Sequence, residues 1–278
     1  SKVNIDDFMA FAGTDTTVVA TTSGGSGVIL LPSNLNLALD ATVKEIIYGS
    51  TKITDFSGKL SLNKSGLQLI DTKFGIAGAV FKLGASYQPA DPRHAQFSFT
   101  VKADSFDVKR AYHEIPMFHD MASAAAKAEG RISLDYALNG RLNDQMKPVL
   151  PSITGKGAVT LADVKVNGLK LFSAVSKATG KDSINNPNLK AVVLKSSIKN
   201  NIITLERTKM RVFGFRPRIE GQTSLDGKLN LRFRLGLPPL GIIRIPMTIT
   251  GTAENPIVKM RKGKESDELT EEADTDTE

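Results

Sequence analysis

The chain has 278 residues, 41% of them hydrophobic, with no cysteine and no tryptophan: enough to bury a sizeable core in one large or two smaller domains, and nothing with which to make a disulfide or a thiolate. The formal charge of +7 understates the body, because residues 265–278 hold eight acids and no base, leaving 36 basic against 21 acidic residues, or +15, elsewhere. Such a body favours anionic partners, a lipid headgroup surface or nucleic acid, but 6% aromatic content and the absence of helix-turn-helix, zinc-finger and RNP patterns count against nucleic acid, and no apolar run reaches the roughly 20 residues of a membrane-spanning helix.

The sequence opens on Ser1-Lys2-Val3-Asn4-Ile5 without a signal peptide, and we expect it to be a segment of a longer protein. Alternation of apolar and polar residues predicts strands near 26–31, 35–47, 52–62, 67–74, 77–87, 95–103 and 130–138. It continues near 155–167, 190–199, 202–213, 216–224, 228–236 and 242–259. The connections are mostly short, so an antiparallel meander is the natural topology.

Turn length then fixes which face each side chain takes, since a one-residue slip inverts a strand. The Asn63-Lys64-Ser65-Gly66 loop sets Leu62 against Leu67 and Leu60 against Leu69. A Pro89/Pro92 loop joins Phe81-Leu83-Ala85-Tyr87 to Phe97-Phe99-Val101 in the same parity. The Asn200-Asn201 turn pairs Ile198 with Ile203 and Ser196 with Leu205, asparagine being tolerant of positive φ. Asp226-Gly227 resembles a two-residue turn, which would oppose Leu229, Leu231 and Phe233 with Ser224, Gln222 and Glu220. A three-residue loop is the better reading, because it joins Ile219, Gly221 and Thr223 to the face of Leu229, Leu231, Phe233 and Leu235. The inward set is therefore Leu60, Leu62, Leu67, Leu69, Leu83, Tyr87, Phe97, Phe99, Ile198, Ile203, Leu205, Ile219, Leu229, Leu231, Phe233 and Leu235.

Two helices are expected. Ser105 caps the first, which carries Ala111, Tyr112 and Ile115, breaks at Pro116 and resumes through Phe118, Met121 and Ala125. The second spans about 169–179, with Phe172 and Val175 on one side and Gly180 as its stop. The parity change between Leu161 and Val164 predicts a bulge at Ala162-Asp163. Residues 263–278 have too few apolar side chains to order themselves and are expected to be a disordered acidic tail.

Catalytic chemistry finds no support. His113 and His119 are six apart with Pro116 between them, so no HExxH face forms. Gly155-Lys156-Gly157 lacks the Lys-Ser/Thr of a phosphate loop, and Gly24-Gly25-Ser26-Gly27-Val28 lacks the closing glycine of a nucleophile elbow. We expect no enzyme, no metal and no cofactor.

Several short motifs in fixed order resemble the C-terminal region of the AsmA family. They are Gly130 to Gly140, Pro151-Ser152-Ile153-Thr154-Gly155-Lys156-Gly157, and Val164-Lys165-Val166-Asn167-Gly168-Leu169-Lys170-Leu171-Phe172. Asn186-Pro187-Asn188-Leu189, Ser224-Leu225-Asp226-Gly227 and Ile249 to Val258 complete the set, and Pro32-Ser33-Asn34-Leu35 extends it loosely into residues 1–112. The resemblance implies a Gram-negative envelope protein held in the inner membrane by a segment absent from this chain, with its body in the periplasm. It also implies kinship with TamB-like and bridge-like lipid-transfer proteins, whose bent sheets form apolar grooves. Alternation alone fits a sandwich or closed barrel as well; the resemblance favours a groove.

The expected fold is thus mostly β, a long, strongly bent antiparallel meander forming an apolar groove with one or two short helices. Residues 1–129 form its N-terminal part, 130–262 an AsmA-like C-terminal region, and 263–278 the tail. The expected function is periplasmic lipid binding or transfer, with phospholipid or another acyl lipid as partner, envelope proteins as further partners and no nucleic acid. The alternative is an envelope scaffold that assists outer-membrane protein assembly without carrying lipid.

Overall fold

A computed structural model describes residues 2–4, 27–31, 36–48, 51–64, 66–115, 118–119, 123–238 and 241–260. They build one sheet of fourteen strands whose spatial order is their order in sequence, not closed into a barrel. The strands are β1 (Lys2–Asn4), β2 (Leu37–Tyr48), β3 (Thr51–Asn63), β4 (Gly66–Ile76), β5 (Ala79–Asp91), β6 (His94–Asp107) and β7 (Ala128–Leu142). There follow β8 (Thr154–Val166), β9 (Asn188–Lys199), β10 (Ile202–Lys209), β11 (Arg216–Ser224), β12 (Leu229–Gly236), β13 (Arg244–Gly251) and β14 (Pro256–Met260). β1 lies parallel to β2, and every later neighbour is antiparallel. Among the described residues the longer helices are α1 (Val108–Glu114) and α2 (Lys170–Thr179).

The expected register is present at each hairpin. Leu62 faces Leu67 and Leu60 faces Leu69, Tyr87 faces Phe97, and Ile198 faces Ile203. Ile219 faces Phe233 across a three-residue loop, closed by Ser224 N donating to Lys228 O at 3.0 Å. Ala162 is the extra residue between Asp163 and Leu161 where β8 meets β7. Further irregularities follow Leu69 in β4, Ala103 in β6 and Leu205 in β10. Each adds local bend and twist to its strand.

Four local expectations are corrected. Residues 27–31 form no strand; Gly27 N and Val28 N donate to Asp144 O and Pro92 O, so this segment straps two turns rather than joining a ladder. The Pro89/Pro92 loop shrinks to a tight turn, because the ladder runs on through Pro89↔Ala95 to Asp91↔His94, with a bulge that accommodates the proline. Residues 242–259 are two strands, β13 and β14, reversed at 252–255 where Thr252 Oγ1 accepts from Asn255 N. α1 is capped by Asp107, whose carboxylate accepts from Arg110 N at 2.8 Å. Ser105 sits in the β6 bulge at φ 55°, held by Ser133 and Arg131, because pairing with β7 persists to Asp107.

α2 matches its expected span, with Phe172, Val175 and Ser176 buried at helical spacing and Gly180 closing it in the left-handed region at φ 65°. Ser26, the Pro32-Ser33-Asn34-Leu35 motif, Pro116, Met121 and the acidic tail of 263–278 lie outside the described residues.

Candidate functional site

Register turns the inward residues into rows that cross the sheet. One row runs Leu39, Leu60, Leu69, Ala85, Phe99, Leu138 and on through Gly155 to Ile198, Ile203, Thr223 and Leu229. Beside it lies Leu37, Leu62, Leu67, Tyr87, Phe97 and Gly140. On its other side Leu83, Val101, Tyr136, Gly157, Ser196, Leu205, Gly221, Leu231 and Ile249 form a third. All sixteen residues expected to face inward share this face.

Depth is not uniform along it. Leu39 on β2 is 49% exposed, while Ile249 on β13, eleven strands further on, is wholly buried. Leu60, Leu67, Leu69, Leu83, Tyr87, Phe97, Phe99, Ile203 and Leu205 are half-buried. Leu62, Ile198, Ile219, Leu229, Leu231, Phe233 and Leu235 are buried, the last five of them within the main core.

The cause of the gradient is the cover supplied by the helices. Val108 and Ala111 of α1 and Phe172 and Val175 of α2 join Phe81, Phe106, Val164, Leu189, Met210 and Leu235 in that core. The Phe106 ring lies tilted against that of Phe81 at 5.3 Å and meets Phe118 edge-on at 5.9 Å. Glu114 ties α1 to the sheet, its carboxylate accepting from Ala77 N and its carbonyl from Thr51 Oγ1. The end of the face from which the helices spring is therefore filled by protein. Toward the opposite ends of β2–β7 the apolar rows remain half-open, with Phe97 and Phe99 stacked at 6.3 Å.

Polar groups on this face are sparse and satisfied. Tyr87 donates to Ile29 O at 2.8 Å, and burial holds its phenol above the ordinary range against the lowering effect of that bond. Burial likewise raises Tyr136, opposed by its 2.9 Å hydrogen bond with Ser196. Both remain neutral hydroxyls at physiological pH. Sequence reasoning passed over Leu37, Leu39 and Leu138, which occupy the same rows; the β2 alternation carried that signal, but its turn supplied no register.

Among the described residues no group of three or more His, Asp and Glu side chains is placed to hold a metal. His94 lies in the β5–β6 turn with Nδ1 2.8 Å from Asp91 Oδ2. His119 packs against the Tyr112 ring at 4.5 Å. No family model, curated protein or solved structure matches the chain.

Proposed function

We propose that the half-open part of the inner face is an acyl-lipid trough, and that the protein is a periplasmic lipid-binding or transfer segment of the kind the AsmA resemblance implies. One observation carries this reading: the row from Leu39 through Leu60, Leu69, Ala85 and Phe99 to Leu138 crosses six strands without a charged side chain and stays partly uncovered. Five strand spacings of about 4.8 Å give it a length of about 24 Å. An acyl chain fills one leaflet of a hydrocarbon core about 30 Å thick, so it fits within that length. Burying sixteen methylenes contributes roughly 13 kcal/mol before ordering costs, so no specific polar contact is required to hold it.

The reading assigns binding rather than turnover, and the outer face is consistent with that. Some of its charges pair across strands, as Lys102 does with Asp135 and Arg207 with Glu220.

The test is mass spectrometry of lipid extracted from purified protein, with uptake of a labelled phospholipid as the second readout. Phe99→Glu and Leu60→Glu are expected to keep the fold and lose lipid, because both positions are half-buried. Phe233→Glu, at a position only 2% exposed, is expected to unfold the protein, since Phe truncation alone costs about 3–5 kcal/mol in a core. Protein that carries no lipid and takes up none would leave the envelope scaffold as the better account.

A further inference from the structure

At the helix-bearing end of the sheet, the β10–β11 and β12–β13 turns lie side by side: a Cβ on Gly214 would stand 3.5 Å from Pro238 Cγ. Both turns present apolar side chains to solvent, Phe213 at 62% exposure, Ile242 at 75% and Ile243 at 69%. Phe213 is the more telling. Val212 and Phe215 close a two-residue turn by reciprocal backbone bonds, and Phe213 and Gly214 both have positive φ, 45° and 81°. That geometry selects Asn, Asp or Gly, as at Asn200-Asn201 in the β9–β10 turn at the other end of β10. A phenylalanine there is unfavourable in backbone and in hydration alike.

Directly behind these turns, on the polar face, is a cleft of about 560 Å³ whose lining contains no carboxylate. Lys209, Arg218 and Arg234 stand directly opposite one another on β10, β11 and β12. Like charges in that position repel. Two residues along the same strands the pattern is balanced, with Glu220 opposite Arg232 and bonded to Arg207 at 2.7 Å. Arg216 and Arg244 add a second row, separated by Gly236. A Cβ at Gly236 would press on the Arg216 carbonyl at 3.1 Å, and one at Gly241 would displace the Arg216 stem, at 2.9 Å from its Cδ. The small residues thus make the space in which the Arg216 stem lies, and Arg244 Nε is fixed by donating to Gly241 O at 3.2 Å.

We propose that this end of the sheet docks on the surface of an anionic phospholipid membrane, Phe213, Ile242 and Ile243 entering the headgroup layer while the cleft arginines take lipid phosphates. The two features are contiguous in sequence as well as space: Arg211 and Arg216 flank Phe213, and Arg244 follows Ile243. Guanidinium forks match phosphate oxygens bidentately, and apolar tips backed by basic residues are the composition of an interfacial anchor. No helix among the described residues is long and apolar enough to cross a bilayer. It does not rest on the trough reading, since it uses other residues on the opposite face.

The test is sedimentation of the full chain with vesicles of phosphatidylcholine alone or mixed with phosphatidylglycerol. Binding is expected only to the mixed vesicles, and to weaken as salt rises. Arg218→Ser and Arg234→Ser should each lower affinity about fivefold, the weight of one basic residue near an anionic surface. Phe213→Asn places a residue suited to the turn, so it keeps the fold, and it should lower affinity about tenfold. Because the chain has no tryptophan, Phe213→Trp provides a single reporter whose emission should shift to the blue on mixed vesicles. Equal binding to both vesicle types, binding indifferent to these substitutions, or capture of pyrophosphate or an oligonucleotide without vesicle binding would overturn the proposal. Phe99→Glu should leave vesicle binding unchanged, so failure of the trough and failure of the dock are separate results.

Discussion

Asp91 illustrates how a single side chain stabilises a turn and makes it sensitive to acid. Its carboxylate accepts from Arg93 N at 2.7 Å and His94 N at 3.0 Å and pairs with the His94 ring at 2.8 Å. The His94 hydrogen bond, with help from the Arg93 amide, holds Asp91 below the ordinary carboxylate range. A depressed folded value means the contribution is complete above the unfolded pKa and is lost as pH falls through the folded one. An NMR titration should therefore place the Asp91 midpoint below that of an unfolded peptide, and Asp91→Ala should abolish the acid-dependent shifts of the Arg93 and His94 amides. A midpoint at the unfolded value would mean that the turn bonds do not persist in solution. Residues also mark where legibility in the sequence ends. Phe99 and Phe233 have the same alternating neighbours, and parity put both on the inner face. Their depths differ because Phe233 belongs to the core that Val108, Ala111, Phe172 and Val175 of the helices join and Phe99 does not, a packing of distant segments that local pattern does not encode.

Elements were most legible where a residue type and a backbone requirement coincide. α2 ends at Gly180, whose φ of 65° suits glycine, and a Cβ there would meet nothing within 4 Å. Gly180→Ala therefore isolates backbone strain from sterics and should cost about 1 kcal/mol, read as a lower urea midpoint with unchanged m-value. Gly180→Asn should cost less, since asparagine visits this region more readily. Equal stability of all three would show that the helix ends for another reason. The bulge at Ala162 was equally legible, because alternation changes phase within one strand. The split of residues 242–259 was not: Ile249 and Ile257 are both odd, so the alternation runs straight through the β13–β14 reversal and conceals it. The cap at Ser105 was misplaced for a related reason, a serine being as suitable for a bulge held by Arg131 as for a helix start.

For the molecule as a whole, the meander makes stability a local property. Each strand contacts chiefly its sequence neighbours, so a sheet with core at one end and a half-open face at the other need not open as one unit. The strands β11, β12 and β13 carry Ile219, Leu231, Phe233, Leu235, Met247 and Ile249, all buried. On β2, Leu37 and Leu39 are 43% and 49% exposed, and on β3 and β4 Leu60, Leu67 and Leu69 are half-buried. Apolar burial contributes about 25 cal/mol per Å², so the N-terminal strands have the smaller reserve against opening. Amide hydrogen exchange followed by mass spectrometry should then find β11–β13 slowest and β2–β4 faster by orders of magnitude. An acyl lipid that binds the native trough and not the unfolded chain adds stability only where opening releases it. A monoacyl phospholipid should therefore slow exchange in β2–β7 and leave β12 unchanged. Protection that falls instead on β11–β13 would place the lipid elsewhere, and exchange uniform along the chain would show that the two ends of the sheet unfold together despite their unequal cover.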